Sequence, residues 1–282
     1  MKPTRIAVVA DIHHGADHRT KRGSAALPLL RRFLDEAGDA DAIIDLGDRI
    51  SDVDAATDVV LQRAVAEVFA GLDERRHHVC GNHDVAHLSL AENEAVLQAP
   101  LGSRAVDLGP VRLAFWQPDV ALTHTRPLRL GPGDLDALRV LLDDERPTLL
   151  VSHPPLSGQS QDGNYWFENN PDYATFAQSM PAIRSIIAAA PAPVVALAGH
   201  VHWNSLALLD GTPHLTLQSL TETCTTDGAP SGCAALLTLD EGVLRWRVTG
   251  LDALEVALPF GSAKRRWYAP LPRFTNLAKA AE

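Results

Sequence analysis

The stretch Ile6-Ala7-Val8-Val9-Ala10-Asp11-Ile12-His13 joins a short apolar run to a polar ending. The run is too short for the apolar core of a signal peptide, and it predicts a first β-strand. Residues 42–46 and 78–80 repeat this combination of apolar run and polar ending. Between these runs, residues 24–36 and 56–69 carry apolar side chains at helical spacing. The alternation predicts an α/β layered domain whose strands are joined by right-handed crossovers.

The second half of the chain continues this pattern and then changes. Residues 148–152 and 193–198 predict two further strands, with a helix between them around residues 172–190. Beyond residue 203 we expect an antiparallel meander added to a mixed sheet, with strands at residues 205–209, 214–217, 233–239 and 243–248.

The chain therefore predicts one main domain over residues 1–250 and a C-terminal tail over residues 251–282. The tail either frays or packs on the domain or on a second subunit. Its aromatic residues Trp267, Tyr268 and Phe274 are candidates for a homo-oligomer interface.

The composition is that of an ordinary globular chain. Of 282 residues, 46% are hydrophobic and 21% are charged, and no apolar stretch approaches the roughly 18–20 residues of a membrane span. The net charge of −10 argues against duplex nucleic acid or an anionic bilayer as the main partner. The cysteines Cys80, Cys224 and Cys233 are odd in number and form no C-x-x-C motif. A disulfide framework is therefore not expected, and the sequence favours a cytoplasmic location.

Each predicted core strand is followed by residues of the types that bind metals. The endings are Asp11-Ile12-His13, Gly47-Asp48, Gly81-Asn82-His83-Asp84, Ser152-His153 and Gly199-His200-Val201-His202. Because ligands collect at the carboxyl ends of strands in α/β sheets, we expect these side chains to share one edge. Seven of them are candidate ligands, namely Asp11, His13, Asp48, Asn82, His153, His200 and His202. Two ions that share a carboxylate can use seven groups and still leave room for a substrate, and this donor set suits Zn, Mn or Fe.

The ordered set D-x-H, G-D, G-N-H-D, an isolated His and G-H-x-H resembles the motifs of the calcineurin-like metallophosphoesterases. It runs over residues 11–202, about two thirds of the chain. The resemblance implies a four-layer α-β-β-α sandwich, with two mixed β-sheets flanked by helices, and a catalytic role for the domain over residues 1–250. It also implies two metal ions, one bound by Asp11, His13 and His202 and the other by Asn82, His153 and His200, with Asp48 bridging them.

By the same resemblance, His83 meets the phosphoryl oxygen of the substrate or protonates the leaving group, and Asp84 orients His83. The activity we expect is hydrolysis of a small phosphodiester by a metal-bridging hydroxide, as in the bacterial cyclic-nucleotide and glycerophosphodiester phosphodiesterases that the chain resembles. Hydrolysis of a phosphomonoester or of a lipid headgroup is the alternative. A non-catalytic scaffold of the same fold is disfavoured because every ligand position is filled.

Two segments near the expected metal edge are candidates for contacting the substrate. Arg19 lies in the basic segment 17–22 and is a candidate for binding a second anionic group, although a solvated loop explains the segment as well. Tyr165, Trp166 and Phe167 follow His153 in a polar, glycine-containing stretch. They predict either a base-stacking or hydrophobic clamp over the site, or an aromatic anchor for their own loop.

Overall fold

The computed structural model describes residues 2–260 and Arg273. The strands in this part of the chain are β1 Thr4–Val9, β2 Ala42–Asp45, β3 Arg76–His78, β4 Arg104–Leu108, β5 Val111–Phe115, β6 Thr148–Val151, β7 Val194–Ala198, β8 Ser205–Leu209, β9 Thr212–Thr216, β10 Ala234–Asp240, β11 Val243–Thr249 and β12 Leu254–Pro259. The α-helices are α1 Ala26–Ala37, α2 Ala55–Val68, α3 Leu90–Leu97, α4 Asp134–Leu142 and α5 Met180–Ala189. None of the described helices has the length and apolar character needed to cross a membrane.

Local sequence explains where several helices begin. The Asp54 side chain accepts a hydrogen bond from the backbone N–H of Thr57 and caps α2. Ser89 and Glu92 form a capping box at the start of α3. Helix α5 begins at Met180, later than the helix expected around residues 172–190, and has a proline in its first turn. Proline is tolerated there because the N–H groups of the first turn have no partner within the helix, and the chain ahead of α5 forms only short 3₁₀ turns.

The twelve strands form two mixed sheets. The first sheet has the order β12-β11-β10-β1-β2-β3, in which β1, β2 and β3 are parallel and the other neighbours are antiparallel. The second has the order β4-β5-β6-β7-β9-β8, in which β5, β6, β7 and β9 are parallel and both edge strands are antiparallel. The predicted parallel strands β1, β2, β6 and β7 therefore lie inside a sheet, where apolar runs are expected, whereas β3 forms an edge of the first sheet.

Alternate residues of each central strand face different layers. In β1, Ile6 and Val8 join the core between the two sheets, while Ala7 and Val9 pack with α1 and α2. In β6, Val151 faces the intersheet core and Leu150 packs with α4 and α5. Burial of each large apolar side chain stabilises the fold by about 1.5–3 kcal/mol before entropy is counted. The result is the four-layer α-β-β-α sandwich that the resemblance implied.

The strands beyond residue 203 do not form one meander. The hairpin β8–β9 lies at the edge of the second sheet, whereas β10, β11 and β12 extend the first sheet. The turn-forming pairs Asp210-Gly211 and Glu241-Gly242 lie between the two strands of each hairpin. They do not specify the sheet to which a hairpin belongs, because that depends on contacts with strands distant in sequence.

The boundary expected at residue 250 divides the first sheet, because β12 pairs with β11 from Val243↔Pro259 to Val248↔Leu254. The aromatic residues Trp267, Tyr268 and Phe274 lie outside the described residues. Residues 104–115 and 134–142, which the sequence analysis left unassigned, supply β4, β5 and α4.

Candidate functional site

The loops that follow β1, β2 and β7 have a strained backbone at the predicted ligands. Asp11, His13, Asp48, His200 and His202 have φ angles of 49°, 47°, 55°, 67° and 53°. Each such left-handed residue costs about 1–3 kcal/mol and persists only where the surrounding structure enforces it. The first two turns are tied together, since Asp11 N donates to Gly47 O at 3.0 Å and His13 N to Asp48 O at 2.9 Å. Such strain is typical of functional sites.

The strained turns direct the side chains into two buried clusters. One contains Asp11, His13, Asp48 and His202, the other contains Asp48, His153 and His200, and the candidate ligand atoms within each cluster lie within 4.8 Å of one another. In the first, the Nε2 atoms of His13 and His202 are 3.0 Å apart. In the second, His153 Nε2 is 3.4 Å from Asp48 Oδ2. Asp48 belongs to both clusters and lies between them.

Asn82 completes the second cluster. Its Oδ1 lies 3.3 Å from His153 Nε2. The other carboxylate oxygen of Asp48, Oδ1, accepts a hydrogen bond from the backbone N–H of His83 at 2.8 Å, which fixes the orientation of the carboxylate. The structure thus brings together all seven side chains that the sequence singled out.

The outward-facing ring nitrogens of the four histidines contact oxygen acceptors. His13 Nδ1 lies 3.3 Å from Ile50 O, His153 Nδ1 2.8 Å from Leu46 O and His200 Nε2 2.9 Å from Tyr173 O, while His202 Nδ1 lies 3.1 Å from Glu222 Oε2. When these outer nitrogens carry the proton, the inner nitrogens present lone pairs to the clusters. Histidines that bind metals are held by such outer contacts.

This donor set fits two transition-metal ions. Two imidazole nitrogens 3.0 Å apart repel each other unless a proton or a cation lies near both. Imidazole and carboxylate donors in buried clusters that share one carboxylate suit Zn, Mn or Fe better than Ca. The site can therefore hold a dinuclear metal centre.

The charges around the site favour an ionised Asp48. Burial raises the pKa of this carboxyl, but the neighbouring His153 and His83 outweigh burial and hold the pKa well below its ordinary value. Burial lowers the pKa of His153, yet the charge of Asp48 outweighs it and raises this pKa to about 9. Burial and the charge of His153 lower the pKa of His200 to about 3. Asp48 therefore presents a negative charge between the clusters, which attracts cations.

His83 lies beside the clusters, and its orienting partner differs from the expected one. Its Nδ1 contacts Asp52 Oδ1, and its Nε2 lies 3.9 Å from Asp48 Oδ2. The His83 ring packs edge-on against His13, with ring centroids 4.8 Å apart, and its side chain is 29% exposed. In this structure the carboxylate that contacts the His83 ring is that of Asp52 and not that of Asp84.

Asp84 instead holds the loops beneath the clusters. Its Oδ2 accepts hydrogen bonds from the backbone N–H groups of Asp48 and Gly81, both at 2.9 Å. The buried guanidinium of Arg49 lies 3.1 Å from Asp84 and 2.9 Å from Asp45. The position of Asp84 next to His83 in the sequence does not reveal that Asp84 holds these loops, because neighbouring side chains in a turn point in different directions.

Three further residues at the site escaped the sequence analysis as individual candidates. Asp52 follows Asp48 by four positions, but acidic residues at such spacing are common. Glu222 lies in a loop without a motif and contacts His202. Lys21 was noted only as part of the basic segment 17–22, yet its ammonium lies inside the site.

The four residues proposed to contact the substrate lie together and form one rim of the site, which consists of Arg19, Tyr165, Trp166 and Phe167. The Phe167 ring centroid lies 5.1 Å from that of His200. The guanidinium of Arg19 lies over the Trp166 ring, 5.3 Å from its centroid, and the Tyr165 ring contacts Trp166 edge-on. Both Trp166 and Phe167 donate backbone N–H groups to Asn164 Oδ1. The loops after β1 and β6 therefore meet beside the second cluster.

Comparison with known proteins identifies the family of the chain and supports its fold. The calcineurin-like phosphoesterase family model matches residues 4–204. A dimetal phosphatase from Danio rerio is similar over 92% of this chain and 100% of its own, with 17% identity and a TM-score of 0.70. A phosphopantetheinyl hydrolase from Mycobacterium tuberculosis has 13% identity, coverage of 76% of this chain and 89% of its own, and a TM-score of 0.48.

A predicted phosphoesterase from Streptococcus pneumoniae has 16% identity, coverage of 92% of this chain and 99% of its own, and a TM-score of 0.42. Comparison with curated protein sequences finds no match. The Danio rerio structure confirms the sandwich fold, and the family model covers well over half of the 282 residues. The chain therefore belongs to the calcineurin-like phosphoesterase family, which implies a metal-dependent hydrolase of phosphoric esters.

Proposed function

We propose that this protein hydrolyses a small phosphodiester at a centre of two Mn, Fe or Zn ions. The observation that carries the proposal is the pair of buried ligand clusters that share Asp48, with His83 beside them. Asp11, His13 and His202 would hold one ion, and Asn82, His153 and His200 the other, with Asp48 contributing to both. When bound, two such ions activate water as a nucleophile near neutral pH and neutralise charge on the phosphoryl oxygens.

With two ions bound, the positive charge of the ions would exceed the negative charge of the carboxylates that hold them. Two divalent ions bring four positive charges, and Asp11 and Asp48 remove two of them. Asn82 would bind an ion through its neutral amide oxygen and would not reduce this charge further. An anionic phosphoester is therefore attracted into the site although the whole chain carries a net charge of −10.

His83 is positioned to act as the general acid. With Nδ1–H donated to Asp52, a cationic His83 ring keeps its second proton on Nε2, which faces Asp48 and the clusters. That proton passes to the departing ester oxygen as its bond to phosphorus breaks, and the neutral ring remains hydrogen-bonded to Asp52. The Asp52 carboxylate holds the orientation of the ring before and after the transfer.

The surroundings of the two clusters favour a diester over a monoester. His83 packs against His13 at the first cluster, and Phe167 packs against His200 at the second. A diester carries a substituent on each side of phosphorus, so one substituent can leave next to His83 while the other lies against the rim of Phe167, Trp166 and Arg19. An aromatic rim with an exposed Tyr165 suits a planar substituent such as a nucleobase.

Paired hydrolysis assays test the proposal. Protein stripped of metal is assayed with bis-para-nitrophenyl phosphate and para-nitrophenyl phosphate, before and after addition of Mn, Zn or Fe. We expect restored activity that is greater on the diester and that falls by about two to four orders of magnitude in His83→Ala. Asn82→Ala should reduce both the metal content and the activity.

The control is His124→Ala, which removes an exposed histidine from the surface. Its metal content and turnover should equal those of the wild type. Greater activity on the monoester would instead favour a phosphomonoesterase. Protein that binds two ions per chain and hydrolyses neither ester would contradict the proposed function.

A further inference from the structure

A hairpin turn in the loop after β1 places Lys21 at the site. His18 and Lys21 pair through two backbone hydrogen bonds, of 3.0 and 2.9 Å, with Arg19 and Thr20 between them. Lys21 also forms an isolated antiparallel bridge with Glu222, and Arg22 N donates to Thr221 O at 3.0 Å. The backbone of Lys21 is thus held on both sides, which fixes the origin of its side chain.

The ammonium group of Lys21 is buried between two histidines. The residue is 8% exposed, and its Nζ lies 3.2 Å from His83 Nε2 and 3.4 Å from His13 Nδ1. Within the described part of the chain, no carboxylate oxygen lies within 4.0 Å of Nζ. A buried ammonium without an anionic partner is costly, because it loses its hydration without a compensating ion pair.

The carboxylates in the neighbourhood are engaged with other groups. Asp52 contacts His83, and Glu222 contacts His202. Asp11 and Asp48 face the metal clusters. None of them serves as a dedicated counter-ion for the ammonium.

The histidine contacts leave most of the donors of Lys21 unused. Before His83 takes up the second proton that it transfers in the reaction, its neutral ring carries one proton on Nδ1 and accepts one hydrogen bond at Nε2, and once Nε2 is protonated it accepts none. His13 Nδ1 lies near Ile50 O and accepts nothing when it carries the proton. An ammonium has three N–H donors, so at least two remain available to a bound anion.

We propose that Lys21 binds a non-bridging oxygen of the phosphoryl group on which the two metal ions act. This inference rests on the proposed function for the identity of the anion. The ammonium lies beside His13, a proposed metal ligand, and beside His83, the proposed general acid. It is therefore next to the phosphoryl group that reacts, and not next to a second anionic group elsewhere on the substrate. In this proposal the Lys21 ammonium is a positively charged side chain that pairs with the negative charge of the bound phosphoryl group.

Binding of inorganic phosphate to the metal-loaded protein tests this inference without turnover. Isothermal titration calorimetry is carried out on the wild type, Lys21→Met and Lys21→Arg, with the metal content of each measured by mass spectrometry. We expect Lys21→Met to keep two ions per chain and to bind phosphate about ten- to a hundredfold more weakly, the usual effect of losing a charge-assisted hydrogen bond. Lys21→Arg should retain part of this affinity because it keeps the charge.

The matched control is Lys2→Met, which makes the same replacement at an exposed lysine paired with Asp41. It should bind phosphate as the wild type does. Wild-type affinity in Lys21→Met would overturn the inference, as would loss of metal in both Lys21 variants, since Lys21 would then support the metal framework instead.

Failure of the proposed function gives a different result. Metal-loaded wild type that binds phosphate but hydrolyses neither ester contradicts the phosphodiesterase proposal, while the affinity ratio between wild type and Lys21→Met still decides the role of Lys21. Metal-loaded wild type that binds no phosphate overturns the inference on Lys21.

Discussion

Replacing Gly81 by alanine tests whether the two clusters form a metal centre. A Cβ atom at this position would lie 2.1 Å from Asp48 Oδ1 and 2.5 Å from His153 Cε1. The φ angle of Gly81 is not positive, so the backbone itself accepts alanine. Any effect of Gly81→Ala therefore arises from displacement of these two side chains.

The size of the displacement predicts the size of the effect. Non-bonded carbon contacts are most favourable at about 3.5–4.0 Å, so both side chains must retreat by about 1 Å or more. Metal–ligand distances are held within about 0.2 Å. Loss of contacts outside the ligand shell already weakens metal binding about 10–100-fold, so displacement of two ligands should weaken it by about a hundredfold or more.

Competition with a chromophoric chelator measures this affinity, and metal content after dialysis gives the number of ions per chain. Gly102→Ala is the matched control, because a Cβ there would meet no atom within 4 Å. Gly102→Ala should retain both ions, whereas Gly81→Ala should lose at least one. Two ions bound with wild-type affinity in Gly81→Ala would refute the assignment of Asp48 and His153 as metal ligands.

Three further changes probe other parts of the structure. Asp52→Asn should lower kcat about 10²–10⁴-fold at unchanged metal content, because His83 loses its anionic partner, and an unchanged rate would exclude that role. Glu222→Gln should weaken metal binding about 10–100-fold, because His202 loses its carboxylate contact, and wild-type affinity in chelator competition would contradict this. Burial lowers the pKa of His214 to about 4, so the unfolded chain gains a proton as pH falls from about 6.5 while the folded chain resists it. The free energy of unfolding, measured with urea, should fall by up to about 3 kcal/mol between pH 7 and 4 in the wild type. The fall should be smaller in His214→Phe. An equal fall in both proteins would show that groups other than His214 cause it.

The strands and helices around the site could be predicted because their patterns are local. The apolar run of β1 and its polar ending occur within eight residues, and α2 has helical spacing and a capping aspartate. The strands β4 and β5 were missed because they are short and partly polar, with Arg104, Asp107 and Arg112 among their residues. Their stability comes from pairing with each other and with β6, which depends on the assembled sheet.

The partners of the site residues could not be predicted in the same way. The family resemblance implied that Asp84 orients His83, but the Asp84 carboxylate lies under the loop and accepts hydrogen bonds from backbone N–H groups. Asp52 and Glu222 reach the site from loops whose course is set by packing. Lys21 lies in a basic segment whose composition equally suits a solvated loop, and only the fold buries its ammonium.

The sequence by itself determined the order of strands and ligand types, and hence the family and the seven side chains that converge. It did so because groups that share a site in an α/β fold collect at the carboxyl ends of strands, and this placement leaves short motifs that can be read along the chain. Only the tertiary structure decided which sheet each late hairpin joins, which carboxylate holds His83 and where the charge of Lys21 lies. These features depend on side-chain direction and burial, which arise when segments distant in sequence pack against one another.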